Sequence, residues 1–503
     1  MNIPASTRAF KLPAIVILSL AALTFFAAVR SMPVETSVFA DGIGKWLQIR
    51  GLLTRGDFEC AYQESVDPDF QFIPGPWYFY TIQNGKCSYG YQAAYALLAA
   101  PFFKIHPLGF LFLHFFLYLA MILGFMLCAH RLLPERSWAP WWAGIIAAWI
   151  IPTVVFAMDL SEVILSLAMG AWALALLCKR ESFQSIEWKL PSFSEFKYFN
   201  SVIFASGIVL GLILSLRTES LIHGICWAFG LLLVQRKSFV SFASGYAVAI
   251  LAVMGFHLWF FGNLMGNRGS SHAAVTAGLT ASTHIGIART LLLGGPLGLI
   301  TSLPAIFLGL FAFSRHARKI HGPQILFMAV ISILPTLGVL ITAPSDGGYS
   351  WGPRFLSLTF APYFLLVLLA LDHPYAHRWP AMIVLAAIAA YGMQYTWKGR
   401  NVYRRAMVQN AGYAAYIEST SSEAIIGADY SLLAILSRSA LQGHVYQARS
   451  IPEITILADR LKNAGVRRVI LLRYATSEVT QLPGWTVKSR KSMDLVEFVV
   501  CER

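Results

Sequence analysis

The sequence predicts a polytopic α-helical membrane protein, with about eleven transmembrane helices followed by a small C-terminal α/β extracytoplasmic domain. Of its 503 residues, 57% are hydrophobic and only 13% are charged, whereas a soluble protein carries about 25% charged residues. The apolar residues form continuous runs of helix length, unlike the alternating strands of a membrane β-barrel. Lysines and arginines collect between these runs, as they do in cytoplasmic loops of membrane proteins.

The formal net charge of +14 fits such loops better than a nucleic-acid partner. When the spans are laid out in order, the basic clusters fall on one side of the membrane, at residues 131–136, 179–197, 236–237, 315–319 and 378. That side is predicted to be the cytoplasm, so we expect a multi-pass protein of the inner membrane, with membrane lipids among its partners.

The apolar runs give the positions of the helices. The predicted spans cover residues 12–30, 108–130, 138–157, 161–178, 201–216, 219–234, 239–261, 296–313, 324–343, 355–371 and 379–397. A polar, aromatic loop at 31–90 follows the first span on the outer side. The runs 201–216 and 219–234 are each too short to span comfortably alone. We therefore expect this pair to dip its charged junction, Arg217-Thr218-Glu219, into a protein-lined cavity near the outer side.

The composition changes near residue 400, which divides the chain into a transmembrane domain at 1–400 and a small domain at 401–503. Within the second domain, AIIGADY, GHVYQA and VRRVILLRY have the pattern of strands, and the last residues, WTVKSRKSMDLVEFVV, have that of a hairpin. Helices are predicted at 431–440 and 454–463. The layout predicts that this domain lies outside the membrane.

Four polar clusters share the predicted outer side. They are Asp41 with Lys45, Asp159 with Glu162, Arg217 with Glu219, and Asp346 with Arg354. Each alone has an ordinary explanation as a helix cap, an internal ion pair, an interfacial snorkel or a solvated charge. Their convergence on one face instead indicates a functional site, because ionisable residues at membrane depth are costly.

The residue types on that face suit a phosphorylated lipid that carries a sugar. Arginine forks bind phosphate oxygens with two parallel hydrogen bonds, and a carboxylate can take a proton from an attacking hydroxyl. Tyr349 and Trp351, next to Arg354, suit a sugar ring or an interfacial lipid. Neither a P-loop nor a GxGxxG motif is present, so a nucleotide donor is not indicated.

Six stretches follow one another in a characteristic order: ADGIGKWLQIRGLLTRG, GYQAAYALLAAPFF, the SE at 161–162, GLILSLRTESLI, LLLGGPLGLITSLP and GGYSWGPRFLSLTFAP. In this order they resemble the GT-C superfamily of integral-membrane glycosyltransferases, in particular its bacterial branch of aminoarabinose and protein O-mannosyl transferases. The last is the most specific, and the resemblance covers about residues 1–400.

The resemblance implies a GT-C-like fold, a polyprenyl-phosphate sugar donor, inversion at the anomeric carbon and an active site at the outer face. The acceptor would be an envelope lipid, glycan or protein. Carried onto this sequence, Asp41 is the expected general base. The expected substrate-binding residues are Lys45, Asp159, Glu162, Arg217, Glu219, Tyr349, Trp351 and Arg354. Asp41 with Asp159 or Glu162 could also hold a divalent metal ion, as in some members of the superfamily.

Two other classes of function stay open at this point. A transporter or flippase of lipid-linked saccharide would explain charges in a cavity, but the cytoplasmic halves of the helices are almost wholly apolar. A non-catalytic envelope assembly protein would be favoured if the four clusters lay far apart. Cys60 and Cys87 share the outer loop and could form a disulfide there.

Overall fold

The computed structural model describes most of the chain. The described residues are 5–30, 32, 40–58, 65–74, 80–83, 86–89, 91, 93–106, 108–178, 200–266, 269, 276–295, 298–345, 354–372, 375–429, 432 and 444–503. Contacts within it define two compact units, one of Met1–Arg30 with Leu113–Arg400 and the other of Ser31–Phe112 with Asn401–Arg503. The domain boundaries predicted from composition, 1–400 and 401–503, stay a prediction.

Helices dominate the chain. In order they are α1 (Ala5–Val29), α2 (Ala40–Arg55), α3 (Ala93–Ile105), α4 (Gly109–Leu132), α5 (Trp138–Ile145), α6 (Thr153–Met158), α7 (Val163–Leu177), α8 (Ser201–Leu212), α9 (Ser220–Val234), α10 (Arg236–Phe261), α11 (Ala281–Leu293), α12 (Leu299–Ser302), α13 (Arg315–Thr342), α14 (Phe360–Leu371), α15 (Tyr375–Ser419) and α16 (Ile451–Asn463). The strands are β1 (Tyr80–Gln83), β2 (Lys86–Tyr89), β3 (Ala424–Gly427), β4 (Val445–Gln447), β5 (Arg468–Tyr474), β6 (Thr486–Met493) and β7 (Val496–Glu502).

The protein is a multi-pass membrane protein. Among the described residues, five helices are long and apolar enough to cross a membrane: Phe10–Val29, Gly109–Leu132, Arg236–Phe261, Arg315–Thr342 and Arg354–Leu371. Shorter apolar helices lie between them, including α7, α8 and α9. This confirms the predicted helical membrane fold, whereas the count of about eleven spans stays a prediction.

Several predicted spans are interrupted, and prolines mark two of the interruptions. The run at 138–157 consists of α5, a π-helical turn at Ile146–Ile150 and α6, with a break at Ile151 and Pro152. The run at 296–313 is α12 followed by a 3₁₀ helix that starts at Pro304. Proline ends a regular helix because its nitrogen lacks the hydrogen-bond donor and its ring clashes with the preceding turn.

Other helices also differ from the predicted spans, among them α2, which lies within the predicted outer loop at 31–90. Helix α11 forms inside a stretch predicted as a loop, and α15 extends over 45 residues, well beyond the predicted end at 397. Helix α13 starts at Arg315 and bends at His321, whose backbone leaves helical geometry two residues before Pro323. These segments are partly polar, so hydropathy alone does not mark them.

In the first unit, α8 and α10 approach until their backbones touch. A Cβ atom on Gly207 would lie 2.2 Å from the carbonyl oxygen of Phe242, and one on Gly245 would lie 2.1 Å from that of Phe204. Only glycine fits at such contacts, which are typical of helix pairs in membranes. The tight packing fixes α8, and with it the junction that follows α8.

The second unit contains a five-stranded sheet with the order β4-β3-β5-β7-β6. Strand β3 pairs in parallel with β4 and β5, and β7 pairs antiparallel with β5 and β6. These strands, the helix α16 and the final hairpin confirm the predicted α/β character of the C-terminal segment. The helix predicted at 431–440 lies almost wholly outside the described residues.

A piece of the predicted outer loop belongs to the core of this sheet. Val66 and Phe72 pack on the face covered by α16, while Phe70 and Ile73 pack on the opposite face. The backbone carbonyl of Phe72 accepts a hydrogen bond of 2.8 Å from the amide of Gln447 at the edge of β4. The segment therefore covers one edge of the sheet and contributes to both of its hydrophobic layers.

Candidate functional site

Three segments of the first unit meet around helix α7. Glu162 is the N-cap residue of α7. This helix packs against the short 3₁₀ turn Ile213–Ser215, which precedes Arg217, and against the 3₁₀ helix Arg354–Thr359. Each segment therefore places a charged side chain near the same end of α7.

Arg217 is the centre of the cluster. Its side chain is fully buried, and its Nε donates a hydrogen bond of 2.6 Å to Oε1 of Glu219. A second guanidinium nitrogen, NH1, lies 3.9 Å from Oε1 of Glu162. Both carboxylates are buried as well, with 4% exposure for Glu162 and 9% for Glu219. Arg217 and Glu219 of the predicted junction are thus buried, and the predicted position of the junction near the outer side stays a prediction.

Phe355 connects this cluster to the second arginine. The guanidinium carbon of Arg217 lies 5.7 Å from the centre of the Phe355 ring, and that of Arg354 lies 5.5 Å from the same centre. At these distances each cation is attracted by the ring electrons. One aromatic side chain therefore contacts guanidinium groups from two segments that are distant in sequence.

A cavity of about 310 Å³ opens beside the cluster. Its lining includes Glu219 and Phe355 of the cluster, together with Thr218. The remaining wall is mostly apolar and includes Leu221, Ile222, Met265, Val339, Ala343 and Pro344. The cavity is large enough for a phosphate group and part of an apolar chain, since ligand pockets start near about 300 Å³.

The buried charges of this cluster are not explained by the stability of the fold. A buried ion pair contributes little net stability, because desolvation offsets the attraction of the charges. Glu219 and Glu162 hold the Arg217 side chain in place. Arginine is a residue type suited to binding an anion.

The structure thus brings Glu162, Arg217, Glu219 and Arg354 together. Asp159 lies in the turn before Glu162, where it ends α6, and it is partly buried. Tyr349 and Trp351 lie outside the described residues, as does Asp346. Their predicted roles stay predictions.

Asp41 and Lys45 belong to the second unit, where both lie on α2. The side chain of Asp41 is outside the described part of the chain. Lys45 is buried, with its Nζ 5.4 Å from the centre of the Tyr91 ring. One turn along α2, Gln48 donates a hydrogen bond of 2.8 Å to the carbonyl of Tyr91. The first turns of α2 are therefore anchored on Tyr91.

The predicted disulfide and metal site stay predictions. Cys87 lies buried on β2, and Cys60 is outside the described residues. The described residues contain no group of three or more His, Cys, Asp or Glu side chains able to hold a metal ion. The side chain of Asp41, the expected centre of such a site, is outside the described residues.

Sequence reasoning missed two residues next to the cluster. Phe355 directly follows Arg354 within the stretch GGYSWGPRFLSLTFAP, but its contact with Arg217 appears only in the fold. His223, four residues after Glu219, looked like an ordinary polar residue of an apolar helix. Its complete burial only appears once α9 is packed.

Two solved structures share the architecture of this chain. The crystal structure of ArnT from Cupriavidus metallidurans bound to undecaprenyl phosphate is 12% identical, with a TM-score of 0.55 over 97% of both chains. The archaeal oligosaccharyltransferase AglB from Archaeoglobus fulgidus, in complex with an inhibitory peptide and a dolichol-phosphate, is 11% identical. Its TM-score is 0.52 over 91% of this chain and 69% of its own.

No protein-family model matches the sequence, and no curated protein matches it either. At 11–12% identity, the two structural likenesses establish a common fold.

Proposed function

Because this chain has the fold of the GT-C membrane glycosyltransferases, we propose that it moves a sugar from a polyprenyl-phosphate donor to an acceptor of the cell envelope. The observation that carries the proposal is the buried Arg217 cluster beside the apolar cavity of about 310 Å³. The ligands named for the two similar structures, undecaprenyl phosphate and a dolichol-phosphate, both join a phosphate to a long apolar chain. The cluster and the cavity suit those two parts of such a ligand.

In the proposed complex, Arg217 and Arg354 bind the donor phosphate, and the apolar wall accommodates the first part of the prenyl chain. Both guanidinium groups contact the ring of Phe355, which lines the cavity, and the proposal places both of them on one phosphate. A guanidinium presents donors in a planar fork that matches phosphate geometry. Positive charge there also stabilises the phosphate as it leaves, which lowers the barrier to transfer.

The proposed reaction is an inverting displacement. The acceptor hydroxyl oxygen forms a bond to the anomeric carbon, while the bond from that carbon to the donor phosphate oxygen breaks and its electron pair leaves with the polyprenyl phosphate. Asp41 is the proposed general base and takes the hydroxyl proton. No further co-reactant is needed, because the phosphate is itself the leaving group.

The proposal also covers location and acceptor. The basic clusters favour the inner membrane, with the site and the 401–503 segment facing outward. The acceptor is then a lipid, glycan or protein of the envelope. A divalent ion bound by Asp41 with Asp159 or Glu162 would act as an additional electrophile near the phosphate.

The proposal is tested by transfer from labelled donors. The purified protein, reconstituted in liposomes, would receive polyprenyl-phosphate sugars labelled in the sugar, together with an envelope extract of the source cells. Mass spectrometry would follow the release of free polyprenyl phosphate, and the label would be traced to the acceptor. We expect release with the wild type and none above background with Asp41→Asn.

The matched control is Asp57→Asn, which changes another carboxylate shortly after α2. Asp57 pairs with Arg55 at 3.1 Å and is one-third exposed, so this variant should transfer normally. Full transfer by Asp41→Asn would disprove the role of Asp41 as base. Absence of release by correctly folded wild type, across the donor set, would disprove the glycosyltransferase function.

A further inference from the structure

His223 is a fully buried histidine whose two ring nitrogens have no hydrogen-bond partner among the described residues. It lies in the first turn of α9, four residues after Glu219. A neutral imidazole carries one donor and one acceptor nitrogen, and both normally find partners when the ring is buried. The proposed reaction uses neither nitrogen.

The position of His223 relates it to the arginine cluster. Its backbone amide donates to the carbonyl of Glu219 at 3.5 Å, so the two residues are joined by one helical turn. Side chains four residues apart on a helix are neighbours on its surface. His223 therefore lies on the same face of α9 as Glu219.

Burial of an unpaired polar group costs free energy, and a carboxylate is the strongest acceptor that a histidine N–H can find. Glu219 is the carboxylate one turn away, and in this structure it accepts the Nε hydrogen bond of Arg217 at 2.6 Å. A donor phosphate draws Arg217 toward itself. Glu219 then loses that hydrogen bond while it stays in the wall of the cavity.

We propose that His223 is a positioning residue. Its ring N–H donates a hydrogen bond to Glu219 when Arg217 turns to the phosphate, so that one donor to Glu219 is exchanged for another. The inference rests on the proposed function, since it needs a phosphate ligand at Arg217. It assigns two states to the site, one with Arg217 on Glu219 and one with His223 on Glu219. The exchange needs no change in protonation, because a neutral imidazole already carries the donor.

The exchange makes phosphate binding easier. Without His223, release of Arg217 would cost the Glu219 carboxylate one hydrogen bond in a region of low dielectric, which disfavours the bound state. With His223, the carboxylate keeps a hydrogen bond in both states. His223 therefore acts on affinity through Arg217 and does not contact the ligand.

The test measures the affinity of the full-length protein in nanodiscs for undecaprenyl phosphate. We expect His223→Phe to weaken binding by about tenfold, which corresponds to about 1.4 kcal/mol. His223→Gln keeps an N–H donor and should restore most of the affinity. The control is His257→Phe, which changes another buried histidine, on α10, and should leave the affinity unchanged.

A double-mutant cycle separates this role from a structural one. In the Glu219→Gln background, His223→Phe should cause no further loss, because the carboxylate that His223 serves is gone. An equal loss in both backgrounds, or normal affinity of His223→Phe, would overturn the inference while leaving the proposed function intact. A wild type that does not bind undecaprenyl phosphate at all would instead overturn the proposed function, and the inference with it.

Discussion

Replacing Arg217 with lysine keeps a positive charge in the cluster and removes the planar fork. The ammonium group can still pair with Glu219 and Glu162, so we expect normal folding, whereas an apolar residue would leave two buried carboxylates without this cation. Breaking a buried pair in that way costs about 3–5 kcal/mol. Arginine offers five N–H donors and lysine only three, on a single nitrogen, so the lysine cannot serve a carboxylate and a phosphate side by side.

The expected loss of affinity for the phosphate follows from this difference in hydrogen-bond donors between arginine and lysine. Arg217 uses Nε on Glu219 at 2.6 Å and directs NH1 toward Glu162 at 3.9 Å. If lysine stays with the carboxylates, one charge-assisted hydrogen bond to the phosphate is lost, which amounts to about 1.5–3 kcal/mol. That loss corresponds to roughly 10- to 150-fold weaker binding of undecaprenyl phosphate.

The assay is equilibrium binding of undecaprenyl phosphate to the protein in nanodiscs, with gel filtration to confirm a monodisperse sample. The matched control is Arg236→Lys, the same substitution in the same unit, at the start of α10. We expect the control to bind like the wild type. Unchanged affinity of Arg217→Lys would refute the assignment of Arg217 to the phosphate.

Two predictions concern the second unit. Asp67→Ala removes a fully buried carboxylate that accepts hydrogen bonds of 2.7 Å from the Phe72 amide and from Arg460. We expect this substitution to lower the free energy of unfolding by about 3 kcal/mol. An unchanged melting temperature would contradict the prediction. Burial raises the pKa of Glu497, but hydrogen bonds from arginines, led by Arg473 at 2.6 Å, outweigh this and hold the pKa below its usual value. The carboxylate therefore stabilises the fold above its unfolded pKa of about 4.3, and this contribution is lost as the pH falls through the folded pKa. Between pH 6 and pH 3 the melting temperature of the wild type should fall more steeply than that of Glu497→Gln, and parallel curves would disprove this linkage.

Part of the site could be predicted from local sequence. Arg217 and Glu219 interrupt two apolar runs that are too short to span alone, and that pattern predicts a buried, charged junction. Phe355 could not be assigned in the same way, since an aromatic residue among apolar neighbours is usually part of a core or a membrane belt. Its role depends on two arginines that are distant in sequence and meet only in the fold.

The fold was predictable where hydropathy is unambiguous. The helix α2 was missed because its Lys45, Gln48 and Arg50 lower its hydropathy, although the helix packs well against α3. The association of residues 66–73 with the C-terminal sheet was also missed. It depends on contacts between positions far apart in the chain, which periodicity does not report.

Arg400 shows how structure resolves an apparent exception. It follows the last predicted span (379–397) on the predicted outer side, where the positive-inside rule disfavours a basic residue. In the first unit, Arg400 is buried and donates hydrogen bonds of 3.1 Å to the carbonyls of Ala27 and Ala28 at the end of α1. The last carbonyls of a helix lack partners within the helix. Arg400 therefore caps α1, a role that charge counting could not anticipate.

The second unit consists of two separate parts of the chain, so the ribosome makes its two parts at different times. Residues 66–73 are synthesised long before the sheet that they cover. At about 5–20 residues per second, the stretch from residue 112 to residue 401 takes on the order of 15–60 s to make. During that interval Phe70 and Phe72 have no strands to pack against and are open to chaperones and proteases. Because β7 lies between β5 and β6, the sheet is complete only after Glu502 has been added.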